Sequence, residues 1–334
     1  MKKSNNKVLF FILSLFVSAT VVLYTGCSKD DNEGDNTPVP TCTDGIQNQG
    51  ETGVDCGGPC NPCPLSARDS VALDYNTNYL GSAVSSPGWT GDESVCNAGT
   101  VPQSTHNAVI KRINYFRRMV GLNDNCTLDT TKFAMCQETA LIMRANNQLS
   151  HTPPSSWLCW TSTGYTGAGS SNLSLGNHSV NAVMSQIRDD GANNSSAGHR
   201  RWILYSPRTK FSYGTTSNTM ALYVFISGSN TQIPEYIAYP PKGYVPQQLV
   251  FNRWSFGKPG ANFSAATVTM TGPSGNVPLT VNPVATGYGD PTIVWEPTGI
   301  ITNSTGDVTY TVTVSGIVGA PQTSYTYNVV IIKS

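Results

Sequence analysis

Nine cysteines and four histidines carry most of the chemistry this sequence can offer. The cysteines fall into three groups: Cys27 alone, a cluster at Cys42, Cys56, Cys60 and Cys63, and the spread set Cys96, Cys126, Cys136 and Cys159. The histidines are His106, His151, His178 and His199. His151 and His199 are 48 positions apart and no H-E-x-x-H is present, so the chain lacks the local signature of a zinc protease. It also lacks the G-x-S-x-G turn of a serine hydrolase. Ser195 and Ser196 lie close to His199, but within Gly-Ala-Asn-Asn-Ser-Ser, which is a loop composition. Arg200 and Arg201 are candidates for an anionic group or for helix-end and ion-pair roles. His106 and His178 read as surface or capping histidines. The spread set is even in number, so two disulfides are expected rather than a thiol nucleophile, with Cys126 to Cys136 and Cys96 to Cys159 as the trial pairing.

The surroundings of these residues narrow the classes. The 334 residues hold 20 Lys plus Arg and 20 Asp plus Glu, a formal charge of zero. No basic field is available to hold a phosphate backbone, so nucleic acid is excluded as an expected partner. Hydrophobic residues at 39% suffice for cores, and the length suits about two domains. Charged residues are only 12% of the chain, against roughly 25% in an ordinary soluble protein. Ser, Thr, Asn and Gly replace them, as on exported proteins.

The first residues supply a route of export. Lys2, Lys3 and Lys7 precede the apolar run from Val8 to Tyr24, which is short for a membrane span. Thr25 and Gly26 are small, and Cys27 follows. Residues 1–26 read as a signal peptide. The layout resembles that of bacterial lipoproteins, with Tyr24 where Leu, Val or Ile is usual. That resemblance implies acylation of Cys27 and anchorage in the outer membrane, on the cell surface or the periplasmic face. Residues 27–41 form the tether; its acidic Ser28–Asp35 stretch resembles the one that follows the lipidated cysteine in surface-exported lipoproteins.

Residues 42–63 are too few to bury a core, so their four cysteines must cross-link. Two disulfides or a four-cysteine zinc knuckle would do this, and an oxidising compartment favours disulfides. Asp44, Glu51 and Asp55 either build a calcium site with backbone carbonyls or serve Asp-Gly turn chemistry. The segment resembles Cys-rich spacer repeats of bacterial surface proteins.

Helical periodicity then sets in. Val109, Ile113, Phe116 and Val120 mark one face of a helix over 105–120 that Gly121 ends. Asp129 caps a second helix running to about Asn147. A third spans Ser179–Asp189, and Met220–Ile226 is a buried-strand run.

The order INYFRRMVGL (113–122), NQLSH (147–151), GHRRWIL (198–204) and Ser-Tyr-Gly (212–214) resembles the CAP superfamily of cysteine-rich secretory, antigen 5 and pathogenesis-related proteins. Asn114, Arg117 or Arg118, Gly121 and Leu122 stand at the positions of its first-helix motif. The resemblance implies an α-β-α sandwich over 68–228 with a cleft built from two histidines and two acids. His151 and His199 match the histidines. Ser171, followed by Asn172, replaces the first acid, and Asp189 and Asp190 are candidates for the second. Such a set implies a ligand cleft and a candidate site for zinc or another divalent cation on His151 and His199.

Residues 232–334 lose all helical periodicity. Ala266–Thr271, Thr292–Glu296, Val308–Val314 and Tyr325–Ile332 alternate as half-buried strands do. About seven strands predict an Ig-like β-sandwich, with Trp254 and Trp295 in its core. The expected class is α+β: a CAP-type α-β-α sandwich followed by an all-β Ig-like sandwich. The expected function is a lipid-anchored binding module for a small ligand, lipid, glycan or protein. A metal-assisted hydrolase of peptide or cell-wall material, or a structural and adhesive surface module, are the alternatives.

Overall fold

The computed structural model describes residues 41–226 and 228–334. The expected signal peptide, Cys27 and the tether up to residue 40 lie outside the described residues. The chain divides into two compact units, with the boundary between Pro64 and Leu65.

In the first unit, disulfides join Cys42 to Cys60 and Cys56 to Cys63. The thiolates that a zinc knuckle needs are therefore absent, and that alternative falls. The carboxylates cap turns. Asp44 accepts the Ile46 N–H at 2.9 Å, Asp55 the Gly45 N–H at 3.0 Å, and Glu51 the Asn48 and Asp55 N–H groups at 3.2 Å.

The second unit opens with six helices: α1 (Ala67–Asp74), α2 (Gln103–Met119), α3 (Phe133–Asn146), α4 (Ser162–Ala168), α5 (Ser179–Arg188) and α6 (Gly198–Ile203). Four strands accompany them: β1 (Thr127–Leu128), β2 (Ser171–Leu175), β3 (Lys210–Thr215) and β4 (Thr219–Tyr223). Their order is β1-β3-β4-β2, with β1 parallel to β3 and the other pairs antiparallel.

Alternation along the strands makes this sheet the middle of three layers. Phe211, Met220 and Leu222 join Val109, Ile113 and Phe116 of α2 and Val183 and Ile187 of α5 in one core. Leu173 and Ala221 point the other way, into a core with Ile142, Met143 and Ala168. Gly214 lets α3 lie directly on β3, because a Cβ there would come within 2.2 Å of the Gln137 backbone nitrogen.

Strong local signals set the helix boundaries. Gly121, at φ +79°, ends α2, and the Leu122 N–H bonds the Arg117 carbonyl at 2.9 Å. Asp129 caps a short 3-10 turn (Thr130–Lys132) that leads into α3. α5 stops one residue earlier than its periodicity predicts, because Asp189 adopts the left-handed conformation of a C-cap.

The remaining strands are β5 (Ile237–Tyr239), β6 (Gly243–Pro246), β7 (Trp254–Gly257), β8 (Thr267–Gly272), β9 (Gly275–Asn276), β10 (Leu279–Val281), β11 (Thr292–Pro297), β12 (Val308–Ser315) and β13 (Ser324–Ile332). They form two sheets, β10-β11-β7-β5 and β6-β13-β12-β8-β9. The inward residues Val308, Tyr310, Val312 and Val314 of β12 face Trp254 and Trp295, which are fully buried. This region therefore has nine strands rather than seven, the shortest, β9, only two residues long.

The first-helix motif is structural. The Arg117 guanidinium is fully buried and donates to the carbonyls of Asn123, Ile203, Tyr205 and Arg208 at 2.9–3.0 Å. Asn114 exchanges two hydrogen bonds with the Cys126 backbone. Together they tie α2 to the chain entering β1 and to the chain between α6 and β3.

Two expectations need correction. Cys96 and Cys159 are bridged, but Cys126 and Cys136 are free and buried. Cys126 sits under the Arg208 carbonyl, at the entry to β1. Cys136 points from α3 to Ser212 of β3. The sheet fixes each thiol against a different partner. Burial raises the Cys126 thiol and pushes that of Cys136 up to about 12, so neither is a thiolate at neutral pH. His106 is half-buried rather than fully on the surface: it stacks on Phe133 at 4.6 Å and meets the Tyr213 hydroxyl at 2.9 Å. Its burial disfavours the charged imidazolium. His178 does occupy the N-cap of α5, though its side chain does not cap the helix and its Nδ1 contacts the Ser179 hydroxyl.

The thiols make a direct test. With Cys27 replaced by Ser, the native protein is expected to resist Ellman's reagent and to expose two reactive thiols in denaturant. No reactive thiols in denaturant would mean that Cys126 and Cys136 are bridged after all.

Candidate functional site

The three-layer region carries a cleft of about 630 Å³. All six residues that the sequence points to, His151, Ser171, Asn172, Asp189, Asp190 and His199, line it. They come from four places: the loop after α3, strand β2, the end of α5 and the first turn of α6.

Asp189 organises this site. Its left-handed backbone turns the side chain back under α6, where the carboxylate is buried. One oxygen accepts the His199 Nδ1–H at 2.7 Å, and the other accepts the Arg200 N–H at 3.2 Å. His199 is held with Nδ1 protonated and, among the described residues, Nε2 unpaired. His151 is fixed in the same sense, its Nδ1 donating to the Ala168 carbonyl at 2.8 Å. Asn172 donates to the His199 carbonyl at 3.0 Å and to Gln186, which in turn reaches Ser174. Ser171 is only 4% exposed and its Oγ has no hydrogen-bond partner among the described residues. Asp190 is exposed and pairs with Arg188.

A zinc site does not fit this set. Among the described residues, no three ligand atoms converge in the cleft. Both Asp189 oxygens are engaged as acceptors, and Ser171 offers a hydroxyl rather than a carboxylate. Two imidazoles alone fall short of the three protein ligands of a catalytic zinc centre.

Several residues of the site carry no sequence signal. Tyr288 reaches it from the loop between β10 and β11, far from the α-β-α layers in sequence. Its ring lies against Gly198, where a Cβ would come within 2.8 Å of it, and under the Arg201 guanidinium at 5.4 Å. The flanking Gly289 passes so close to the Arg201 carbonyl that a Cβ would come within 2.5 Å. The Gly-Tyr-Gly triplet is the one feature that marked this loop. Trp202 and Phe225, edge to face at 5.0 Å, complete an aromatic rim.

Arg200 and Arg201 bind no anion in the cleft. Arg200 is buried and donates to the carbonyls of Ile187 and Arg188 and to Ser255 of β7. Arg201 donates to the carbonyls of Ala285 and Asp290. Arg253 answers from the β-rich side, donating to the carbonyls of Asp189, Gly191 and Asn194 and to Glu296. The loop between α5 and α6, one wall of the cleft, is thus clamped by the C-terminal strands.

The geometry predicts a calorimetric outcome. Zinc titrated into wild-type protein and into the His151→Ala and His199→Ala variants should give the same weak response. A micromolar affinity lost in either variant would restore the metal site.

No curated protein and no solved structure matches the chain. A family model does: residues 110–228 match the cysteine-rich secretory protein family, CAP. The matched span runs from within α2 to just past β4 and contains both cleft histidines, Asp189 and the buried Arg117. The three disulfides fit the same setting, since such bonds persist in oxidising, extracellular compartments. The segment that builds the histidine cleft is a CAP domain of the cysteine-rich secretory protein family.

Proposed function

We propose that this chain is an exported, lipid-anchored binding protein whose ligand occupies the His151/His199 cleft. The observation that carries the reading is the pair of imidazoles with Nδ1 fixed and, among the described residues, Nε2 unpaired, set in a cleft of about 630 Å³. Two oriented acceptors on a polar floor, under an aromatic rim, are the make-up of a ligand site. Anchorage rests on the signal-like residues 1–26 and Cys27, and the outer membrane is the proposed location. Among the described residues no helix is long and apolar enough to cross a membrane. The β-rich region, read as an Ig-like module, serves in this scheme to hold the cleft wall through Arg253 and Tyr288.

A second reading is a hydrolase of peptide or cell-wall material. It draws on the Asp189–His199 pair, which can take up a proton at Nε2. Turnover abolished by both His199→Ala and Asp189→Asn would favour it.

Two outcomes are expected. On glycan arrays and on phosphatidylglycerol/phosphatidylethanolamine vesicles, or against a peptide panel, the wild type should bind at least one class. The His199→Ala and Tyr288→Ala variants should weaken that binding by about tenfold, the effect of one lost interaction of ~1.4 kcal/mol. Binding that neither variant changes would refute the cleft reading. In cells, the wild type should fractionate with membranes and Cys27→Ser should not; equal partitioning would sink the anchor.

A further inference from the structure

Strand β2 is the outer strand of its sheet and pairs only with β4. In an antiparallel ladder, alternate residues turn both backbone groups toward the partner strand or away from it. The phase is fixed here by two bonds that flank the strand, Val224 N–H to the Ser170 carbonyl at 3.0 Å and Gly176 N–H to the Asn218 carbonyl at 2.8 Å. With Asn172 opposite Leu222 and Ser174 opposite Met220, these even-numbered residues turn inward. Ser171, Leu173 and Leu175 turn their N–H and C=O groups outward.

All three residues line the cleft. Their outward groups have no partner among the described residues. The edge is not on open surface, since Ser171 is 4% and Leu173 is 6% exposed. Buried backbone groups are almost always paired, and the outward N–H and C=O groups of buried Ser171 and Leu173, with those of half-buried Leu175, form a row that an added strand would pair. Proteins usually blunt a free edge with charge, proline or a covering element. Here the sequence is Ser-Asn-Leu-Ser-Leu, without charge or proline, and its residues line the cleft.

The ligand that matches this row is another extended backbone. Outward groups recur at every second residue, a repeat of about 6.8 Å, which is the repeat of a β-strand. A five-residue segment is roughly 17 Å long and would satisfy all three sets. The rim then faces side chains rather than backbone. Phe225 is 54% exposed and stands beside Trp202 and Tyr288, offering apolar contact to alternate side chains. Asp190 is already paired with Arg188 and Asp189 is buried, so the cleft makes no call for a charged ligand.

We propose that the cleft binds an extended, uncharged stretch of another polypeptide, with apolar side chains at alternate positions, as an added strand on β2. This rests on the reading of the cleft as the binding site and names its ligand class.

The probe is a panel of acetylated, amidated heptapeptides that alternate Thr with Phe, Leu or Val, titrated into the full chain by fluorescence anisotropy. N-methylation at every second residue removes the N–H groups of one phase only. One methylated phase should weaken binding by tenfold or more and the other should not. Amide exchange of the bound protein should show at least tenfold slowing at Ser171, Leu173 and Leu175, with little change at Asn172 and Ser174. Ser171→Pro deletes an outward N–H at the first residue of an edge strand, where proline is tolerated, and should weaken binding too. If that variant does not fold, the N-methyl series on the wild type decides. Equal loss from both phases, or no slowing at the odd-numbered amides, overturns the proposal. Failure of every peptide alongside His199-dependent binding of a glycan or vesicle overturns it as well, while leaving the cleft reading intact. Failure of every probe overturns both.

Discussion

A single buried carboxylate holds the cleft in shape. Asp189 ends α5 in a left-handed turn, and its two oxygens meet the His199 ring and the first turn of α6. Its own carbonyl receives Arg253 from the β-rich region. A carboxyl group out of water is tolerated only when its hydrogen-bond partners are in place, so helix end, histidine and clamp must be assembled together. The orientation of His199, the path of the loop from 189 to 197 and the seating of the C-terminal strands all follow from meeting that one demand.

Much of this was legible because it is written in local patterns. The spacing of Val109, Ile113 and Phe116 specifies a buried helix face, and the structure buries all three. Gly121 and Asp129 act as the cap residues their types predict. Trp254 and Trp295 lie in the core expected of them. The motif resemblance led to six residues that share one cleft. What was not legible depends on long-range packing. Four even cysteines suggested two bridges, yet Cys126, just before β1, and Cys136, in α3, are both buried and free, each against a different partner. Arg200 and Arg201 follow a cleft histidine in sequence, but helical rotation directs both toward the C-terminal strands. Tyr288 enters the site across about 90 residues of intervening chain from His199, a relation that no periodicity encodes.

Residues 65–334 are one compact unit, so the β-rich region is more than an appendage to the CAP domain. It contributes an aromatic ring to the cleft and closes the loop that forms one wall. In the proposed mode of binding the edge of strand β2 adds something different in kind, backbone groups beside the two histidine side chains. Side chains at the rim can change without disturbing such an edge, which separates affinity from selectivity within one site.

The buried arginines share a habit with a wider consequence. Arg117, Arg200, Arg201 and Arg208 direct their guanidinium groups chiefly at backbone carbonyls instead of carboxylates. Interactions between a buried ion and fixed dipoles lie beyond the reach of mobile counterions, whereas surface ion pairs are screened within about 8 Å at physiological salt. A chain with so few charges, whose main cross-ties run from cation to peptide dipole, is built to keep its shape when the ionic strength outside the cell changes.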